Sequence, residues 1–271
     1  MNGFLVFAFL FFIGSCLGWC IELFYRRFIS SGNKDRKWIN PGFLTGPYLP
    51  LYGFGLWGMF QMSYAIKMIT FGNRAVDTII VFISMAVIMT VLEYAAGIIF
   101  IKGMKVKLWD YSREKLNFQG IICPKFTVIW GILGMLYYFT VNTRVELWVN
   151  WLSQHLAFSF FVGVFFGVFA VDLCYTMQLS AKIRKFAMEN QLVIRYEELK
   201  RSINERRESL NERDRFIMAF KTEGPFKEYL ENYLERSIDN RRRKIREARE
   251  DIEKIKSGVK KKIADYEEHH K

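Results

Sequence analysis

The hydrophobic positions of this 271-residue chain are concentrated in its first two thirds. A helix needs about 20 mostly apolar residues to cross a hydrocarbon core of about 30 Å. Runs of that length recur five times and predict membrane-spanning helices at residues 3–25, 48–71, 76–101, 124–143 and 152–179.

Beyond residue 180 the pattern becomes polar, with apolar residues every seven positions on both sides of Gly224 and Pro225. Heptad spacing is typical of a coiled coil, and a tight turn between two long helices favours an antiparallel hairpin. The predicted fold is therefore all-α: a transmembrane helical bundle of residues 1–179, followed by a cytoplasmic antiparallel coiled-coil hairpin of residues 180–271.

Charge follows the same division. Residues 1–179 hold 14 Lys and Arg against 8 Asp and Glu, whereas residues 180–271 hold 25 against 19. The mean hydropathy of +0.06 is thus an average over two unlike parts. Membrane topology and attraction to anionic lipid headgroups account for the net charge of +12, so no nucleic-acid partner is expected. Four Cys, all in apolar stretches, exclude a secreted disulfide scaffold.

Basic residues also predict the orientation in the membrane. The loops after the first and third spans carry eleven Lys and Arg, whereas the loops on the other side carry only Lys67, Arg74 and Arg144. Because basic loops stay in the cytoplasm, we expect a multi-pass protein with its N-terminus outside and its C-terminus inside.

The membrane part contains signs of an internal duplication. Glu22 stands sixteen residues before Trp38, and Glu93 stands sixteen residues before Trp109. A second set of positions shares one constant, slightly larger offset: Gly42, Tyr52 and Gly53 correspond to Gly120, Trp130 and Gly131. The predicted repeats cover about 1–75 and 76–145, and the last helix, 152–179, resembles the first helix alone.

Three carboxylates are predicted to lie in the cytoplasmic leaflet: Glu22, Glu93 and Asp172. Charged groups inside a bilayer are costly and usually serve a function, so they are the main candidates for a substrate or ion site. An ion pair with Arg26 is an alternative explanation for Glu22. A structural contact between helices is the alternative for Glu93 and Asp172. Further candidates are the loop residues Trp38, Trp109, Asn40 and Asn117, together with Tyr52.

Residues 38–55 contain three Pro and four Gly and cannot form one continuous helix. Irregular backbone at membrane depth survives only where protein or water satisfies it. We expect breaks at Gly42 and Pro47, and in the second repeat at Gly120 and Pro124, that line a cavity or pack together. A plain interfacial turn with an aromatic belt is the alternative.

The stretches from Asn40 to Pro47 and from Pro50 to Gly55, with Glu22 to Arg26, resemble the signature of the ABC-transporter type IV family, the CmpB-like bacterial membrane permeases. The resemblance covers roughly residues 1–175. It implies a permease component in the bacterial cytoplasmic membrane. No G-x-x-x-x-G-K-[ST] phosphate loop occurs, so ATP would act only through a separate ATPase subunit. We expect no cofactor, metal site or catalytic activity in this chain.

The sequence thus favours a transporter component in which the three carboxylates bind a cation or relay protons. A membrane scaffold or sensor, whose hairpin recruits a cytoplasmic partner, is the alternative, and a lipid enzyme lacks an identifiable nucleophile. The expected partners are the lipid bilayer and an ATPase or other cytoplasmic protein bound through the hairpin. Small-residue pairs such as Gly163 and Gly167 suit a monomer or a homo-oligomer equally.

Overall fold

The structure is a computed structural model that describes residues 2–30, 33, 36, 38–69, 72–190, 193–196, 198–199 and eight positions between 234 and 250. The chain divides into two compact units, Met1–Tyr196 and Glu197–Lys271. The predicted coiled-coil hairpin falls largely outside the described residues. The first unit is mostly helical and contains the predicted membrane part.

Within the described residues, the first unit has six α-helices. They are α1 Gly3–Phe28, α2 Pro50–Lys67, α3 Arg74–Ile98, α4 Pro124–Leu136, α5 Asn142–Gln154 and α6 Ser159–Glu189. Two π-helical turns, Ile99–Met104 and Tyr137–Val141, extend α3 and join α4 to α5, and a 3₁₀ turn, Leu156–Phe158, precedes α6. Two short strands are also present: β1 Val106–Lys107 and β2 Ile194–Arg195.

Local sequence sets where these helices begin. The side-chain oxygen of Asn2 accepts from the Phe4 N–H at 3.0 Å, and that of Asn73 accepts from the Ala75 N–H at 2.9 Å. Both satisfy a backbone donor that a helix leaves free at its N-terminus. Helices α2 and α4 begin instead with a proline, Pro50 and Pro124, which lacks that donor.

Four helical stretches of the described chain are long and apolar enough to cross a membrane: Gly3–Phe28, Arg74–Met104, Pro124–Gln154 and Leu156–Glu189. They correspond to four of the five predicted spans. The second prediction, 48–71, contains α2, which is 18 residues long and is less apolar because glycines and polar side chains such as Gln61 interrupt it. A count of five spans is therefore not confirmed.

Helices α1 and α2 pack together as one pair, and α3 and α4 pack as another, with α2 against α3 between the pairs. Helix α6 lies against α1, where aromatic rings dominate the contact. The Phe12 and Phe165 ring centroids are 4.7 Å apart, and those of Phe11 and Phe169 are 5.5 Å apart. Most of the apolar surface of α6 is exposed in this chain, as expected for a helix in contact with lipid.

Glycines at matching positions allow close approach within both helix pairs. A Cβ on Gly53 of α2 would lie 2.7 Å from the Phe11 carbonyl oxygen of α1. A Cβ on Gly131 of α4 would lie 2.5 Å from the Phe82 ring of α3. Gly53 and Gly131 correspond in the predicted repeat, and Phe11 and Phe82 are separated in sequence by the same interval as the two glutamates, Glu22 and Glu93. Both pairs therefore have a close contact between a glycine and a phenylalanine at corresponding positions.

Close to these contacts, each pair has a glycine facing a large residue, but the glycine lies on the first helix in one pair and on the second helix in the other. Gly14 of α1 faces Leu56 of α2, with 2.9 Å from a Cβ on the glycine to the leucine Cβ. In the other pair, Gly134 of α4 faces Met85 of α3, and a Cβ on Gly134 would overlap the methionine. The glycine is on the first helix of one pair and on the second helix of the other, so each contact keeps one large side chain.

The chain after α6 returns to the loop that follows α3. Strands β1 and β2 pair in parallel, with Val106 opposite Ile194 and Lys107 opposite Arg195. Val106 and Ile194 are fully buried. The first unit thus extends past the predicted end of the last span and includes the residues up to Tyr196.

Candidate carboxylate site

Glu93 lies on α3 and is buried, with 4% of its surface exposed. Each carboxylate oxygen accepts one hydrogen bond, from the Tyr111 hydroxyl to Oε1 at 2.9 Å and from Trp130 Nε1 to Oε2 at 3.1 Å. Both donors are neutral. Among the residues described, Glu93 forms no ion pair with Lys or Arg, so its charge has no cation in contact there.

The loop between α3 and α4, residues 105–123, brings Tyr111 to this position. The Tyr111 N–H donates to the Gly120 carbonyl at 2.9 Å, and the phenol ring stacks on Phe126 with a centroid distance of 4.3 Å. Gly120 has φ of 65°, in the left-handed region that glycine tolerates, and its N–H donates to Asn117 Oδ1 at 3.0 Å. Asn117 and Gly120 therefore shape the loop instead of contacting the carboxylate.

Tyr111 is a site residue that the sequence analysis missed, because the position two residues after the matching Trp38 is Asn40 and not a tyrosine. Burial, and after it the negative charge of Glu93, raise the pKa of the Tyr111 phenol above its usual range. The hydroxyl therefore keeps its proton and can donate to Glu93. The available signal in the sequence was a hydroxyl in the basic loop, two residues after Trp109.

Glu22 of α1 has a different pair of partners. Arg26 Nε donates to Glu22 Oε1 at 3.0 Å, and the Tyr52 hydroxyl donates to Oε2 at 3.1 Å. The ion pair that the sequence analysis left open for Glu22 is present. Arg26 lies four positions after Glu22, and the residue four positions after Glu93 is Gly97. Within the described part of the chain, one carboxylate is thus neutralised by a cation and the other is not.

Tyr52 lies near both carboxylates. It donates to Glu22, and it also lies within electrostatic range of Glu93 and of Tyr111. The packing of α2 against α3 accounts for this proximity. Two hydrogen-bonded groups thus lie near each other in the first unit, Glu22 with Tyr52 and Glu93 with Tyr111 and Trp130, and we call them together the carboxylate network.

Asp172 of α6 has a separate set of partners. Its carboxylate accepts from the Tyr48 hydroxyl at 2.5 Å, from the Gly46 N–H at 2.8 Å and from the Thr45 N–H at 3.2 Å. Thr176, one turn along α6, donates at 3.2 Å. Asp172 thus fastens α6 to the loop before α2. In the described part of the chain, no group of three or more His, Cys, Asp or Glu is placed to hold a metal ion.

The loop before α2, residues 38–49, has non-helical backbone and includes Gly42, which is buried, and Pro47, which is exposed. Asn40 organises it: Oδ1 accepts from the Gly42 N–H at 2.9 Å and from Trp19 Nε1 at 2.8 Å, and Nδ2 donates to the Thr45 carbonyl at 3.0 Å. This turn packs on α1 through Trp19 and on α6 through Asp172. Asn40 therefore has a structural role in this conformation.

The two tryptophans that mark the repeat in sequence lie in different surroundings. Trp38 is 54% exposed, and the Arg27 guanidinium lies 4.5 Å from its ring centroid. Trp109 donates to the Ile121 carbonyl at 2.8 Å and lines a crevice of about 10 Å³, room for about one water molecule. Among the described contacts, neither ring makes a hydrogen bond to a carboxylate of the network.

Long apolar helices packed in pairs, with a buried carboxylate between them, define a multi-pass helical membrane protein. The chain belongs to the family described as "Putative ABC-transporter type IV", whose profile matches residues 9–177. The resemblance seen in the sequence is thereby confirmed. No curated protein and no solved structure matches the chain. Family membership and apolar helices together fit a membrane transporter component.

Proposed function

We propose that this chain is the membrane component of an ABC-type transporter and that Glu93 is its proton-binding carboxylate. The observation that carries the proposal is the contrast between two equivalent positions. Glu22 has Arg26 in contact, whereas the buried Glu93 has only neutral donors among the described residues. A buried charge with no cation beside it is neutralised when it binds a proton, and such residues in membranes commonly serve transport.

The hydrogen-bond donors around Glu93 suit both protonation states. Trp130 Nε1 can only donate, whereas the Tyr111 hydroxyl can donate to a carboxylate or accept from a carboxylic acid. Oε1, which faces Tyr111, is therefore the oxygen that takes the proton, and the Tyr111 hydroxyl rotates from donor to acceptor. Trp130 holds Oε2 in place in both states.

We further propose that Tyr111 faces the cytoplasm. Loop 105–123 holds several of the basic residues that favour a cytoplasmic position, in a bacterial cytoplasmic membrane with the N-terminus outside. Glu93 lies eleven residues before the end of the π-helical extension of α3, about 16 Å at ~1.5 Å per residue. Its proton would exchange with the cytoplasmic side when Tyr111 moves. ATP hydrolysis belongs to a separate subunit.

A hydrophobic carbodiimide, which partitions into the membrane and reacts with protonated carboxyl groups there, provides the test. We would label the purified full chain in lipid vesicles over a range of pH and locate the adduct by mass spectrometry. Labelling of Glu93 should fall as the pH rises. In the same vesicles, proton movement followed with an enclosed pH dye should be lost in Glu93→Gln.

Glu146→Gln is the matched control, because Glu146 is paired with Lys67 and is partly exposed. It should leave both the labelling of Glu93 and the proton movement unchanged. A folded Glu93→Gln protein that moves protons as the wild type does would contradict the proposal. So would labelling of Glu93 that does not change with pH.

A further inference from the structure

A three-residue segment after the end of α6 is tied to two loops of the first unit, the one before α2 and the one after α3. We call this segment, Ile194, Arg195 and Tyr196, the tail clamp. The Ile194 N–H donates to the Lys105 carbonyl at 3.0 Å, and its side chain is fully buried in the pairing of β1 with β2. The clamp is therefore part of the folded body and not a free connection to the tail.

An ion pair fixes the clamp to loop 105–123. Arg195 Nη2 lies 3.0 Å from Asp110 Oδ2, and Lys107 Nζ lies 2.6 Å from Asp110 Oδ1. Burial alone would raise the pKa of Asp110, but hydrogen bonds from Lys107 and Ser112 lower it to about 2. Asp110 is thus ionised at neutral pH and binds one cation from its own loop and one from the clamp.

Tyr196 fixes the clamp to the other loop. Its hydroxyl donates to the Gly42 carbonyl at 3.3 Å, and its ring lies 4.9 Å from the Phe43 ring. Phe43 in turn contacts Phe100 at 5.1 Å, in the π-helical extension of α3. One short segment thus contacts the loop before α2 and the loop after α3.

Asp110 and Tyr111 are consecutive residues, and this adjacency connects the clamp to the carboxylate network. Asp110 binds Arg195, and the Tyr111 hydroxyl donates to Glu93 at 2.9 Å. Neighbouring Cα atoms are held about 3.8 Å apart by a planar peptide bond, so a displacement of the Asp110 backbone also moves the Tyr111 backbone. The path from clamp to Glu93 therefore has two non-covalent links.

We infer that the tail clamp couples the chain beyond Tyr196 to the hydrogen bond between Tyr111 and Glu93. The second compact unit begins at the next residue, Glu197. A partner that pulls on or reorients that unit would act on Arg195, then on Asp110, and finally on Tyr111, which donates to Glu93. The inference rests on the proposed function, since it names the regulation of the same carboxylate.

The test compares Arg195→Gln, Arg195→Lys and wild type as full chains in lipid vesicles. Amide hydrogen exchange is measured over residues 105–123, and carbodiimide labelling is measured at Glu93. An ion pair of this exposure contributes up to about 1 kcal/mol, so Arg195→Gln should increase exchange and labelling by about two- to fivefold. Arg195→Lys keeps the charge and should stay close to wild type.

Lys125→Gln is the matched control, because it breaks an ion pair with Glu114 of the same loop that does not involve the clamp. It should leave the labelling of Glu93 unchanged. If Arg195→Gln does not fold, Asp110→Asn removes the same pair from the other side. The inference is overturned if a folded variant lacking the pair labels Glu93 as wild type does, or if Lys125→Gln increases labelling equally.

The outcomes separate this inference from the proposed function. If Glu93 is never labelled in any variant, the proton-binding role fails, whereas the exchange rates of residues 105–123 still show whether Arg195 holds the loop. If Glu93→Gln stops proton movement but Arg195→Gln changes neither exchange nor labelling, the coupling fails and the proposed function stands.

Discussion

Tyr52 and Trp130, which correspond in the two predicted repeats, each donate a hydrogen bond of 3.1 Å to a glutamate on the preceding helix, Glu22 and Glu93 respectively. The same contact is thus made in both helix pairs by two different side chains. The environments differ, because Arg26 neutralises Glu22 and no equivalent cation of the described chain contacts Glu93. Glu93 therefore depends more on its neutral hydrogen-bond donors than Glu22 does.

Loss of the donor should consequently cost more in the second pair. A hydrogen bond to a charged group contributes about 1.5–3 kcal/mol when nothing else replaces it. At a pH high enough to ionise Glu93, we expect Trp130→Phe to lower the free energy of unfolding by about that amount, and Tyr52→Phe by about 1 kcal/mol or less because Arg26 remains. Thermal unfolding of both proteins in the same detergent checks this order, and equal losses would contradict it.

The exchange of large and small residues between the helix pairs predicts a compensated double variant. Gly134→Leu places a side chain on Met85 and should destabilise the protein by about 1–3 kcal/mol. Met85→Gly combined with Gly134→Leu recreates the arrangement of Gly14 and Leu56 and should recover most of that loss. Unfolding midpoints of the single and double variants measure the recovery.

Gly163→Leu is the control for that experiment, because a Cβ at Gly163 has no atom within 4 Å. It should change stability by less than about 0.5 kcal/mol. A double variant no more stable than Gly134→Leu alone would show that the two helix pairs do not share one packing scheme.

The lowered pKa of Asp110 predicts that the protein loses stability at acid pH. Its pKa of about 2 in the folded protein lies below the usual value of about 3.9 in an unfolded chain. The stabilisation is therefore present above about pH 4 and is lost as the pH falls towards 2. The difference in unfolding midpoint between wild type and Asp110→Asn should be largest at neutral pH and vanish near pH 2.

Glu114→Gln provides the comparison in the same loop, since its ion pair with Lys125 is exposed and should contribute little at any pH. If the Asp110→Asn difference stays constant down to acid pH, hydrogen bonds to an ionised Asp110 do not stabilise the loop.

A truncation separates the transporter proposal from the scaffold alternative. Because residues up to Tyr196 belong to the first unit, the cut should remove 197–271 and leave β2 intact. A transporter body should still show carbodiimide labelling of Glu93 and proton movement in vesicles. A scaffold should lose its cytoplasmic partner, which co-purification with the full chain and the truncated chain would reveal.

Much of the first unit is predictable from sequence, because the length and apolar content of a membrane span can be read along the chain without knowing its contacts. Run length and apolar content locate α1, α3, α4 and α6, and the equal spacing to Trp38 and Trp109 relates Glu22 to Glu93. The ends of the helices are harder to predict than their presence. The stretch predicted to end at residue 143 continues through α5 to Gln154, where Glu146 pairs with Lys67 of α2.

The partners of the carboxylates were not predictable, because they depend on how loops fold back. Asp172 binds residues 45–48, which lie more than 120 positions away in sequence. No local sequence pattern predicts that contact. Tyr111 reaches Glu93 only because Gly120 and Asn117 turn the loop. Equal spacing to Trp38 and Trp109 suggested equal roles, yet one ring is exposed and the other is hydrogen-bonded within its loop.

The placement of Gly14 opposite Leu56, and of Met85 opposite Gly134, also makes each helix complementary to its own partner. If α1 met α4 instead of α2, two glycines would face each other and leave a gap. If α3 met α2 at this level, methionine and leucine would collide. At this level, the first helix of each pair therefore fits its own second helix better than the second helix of the other pair.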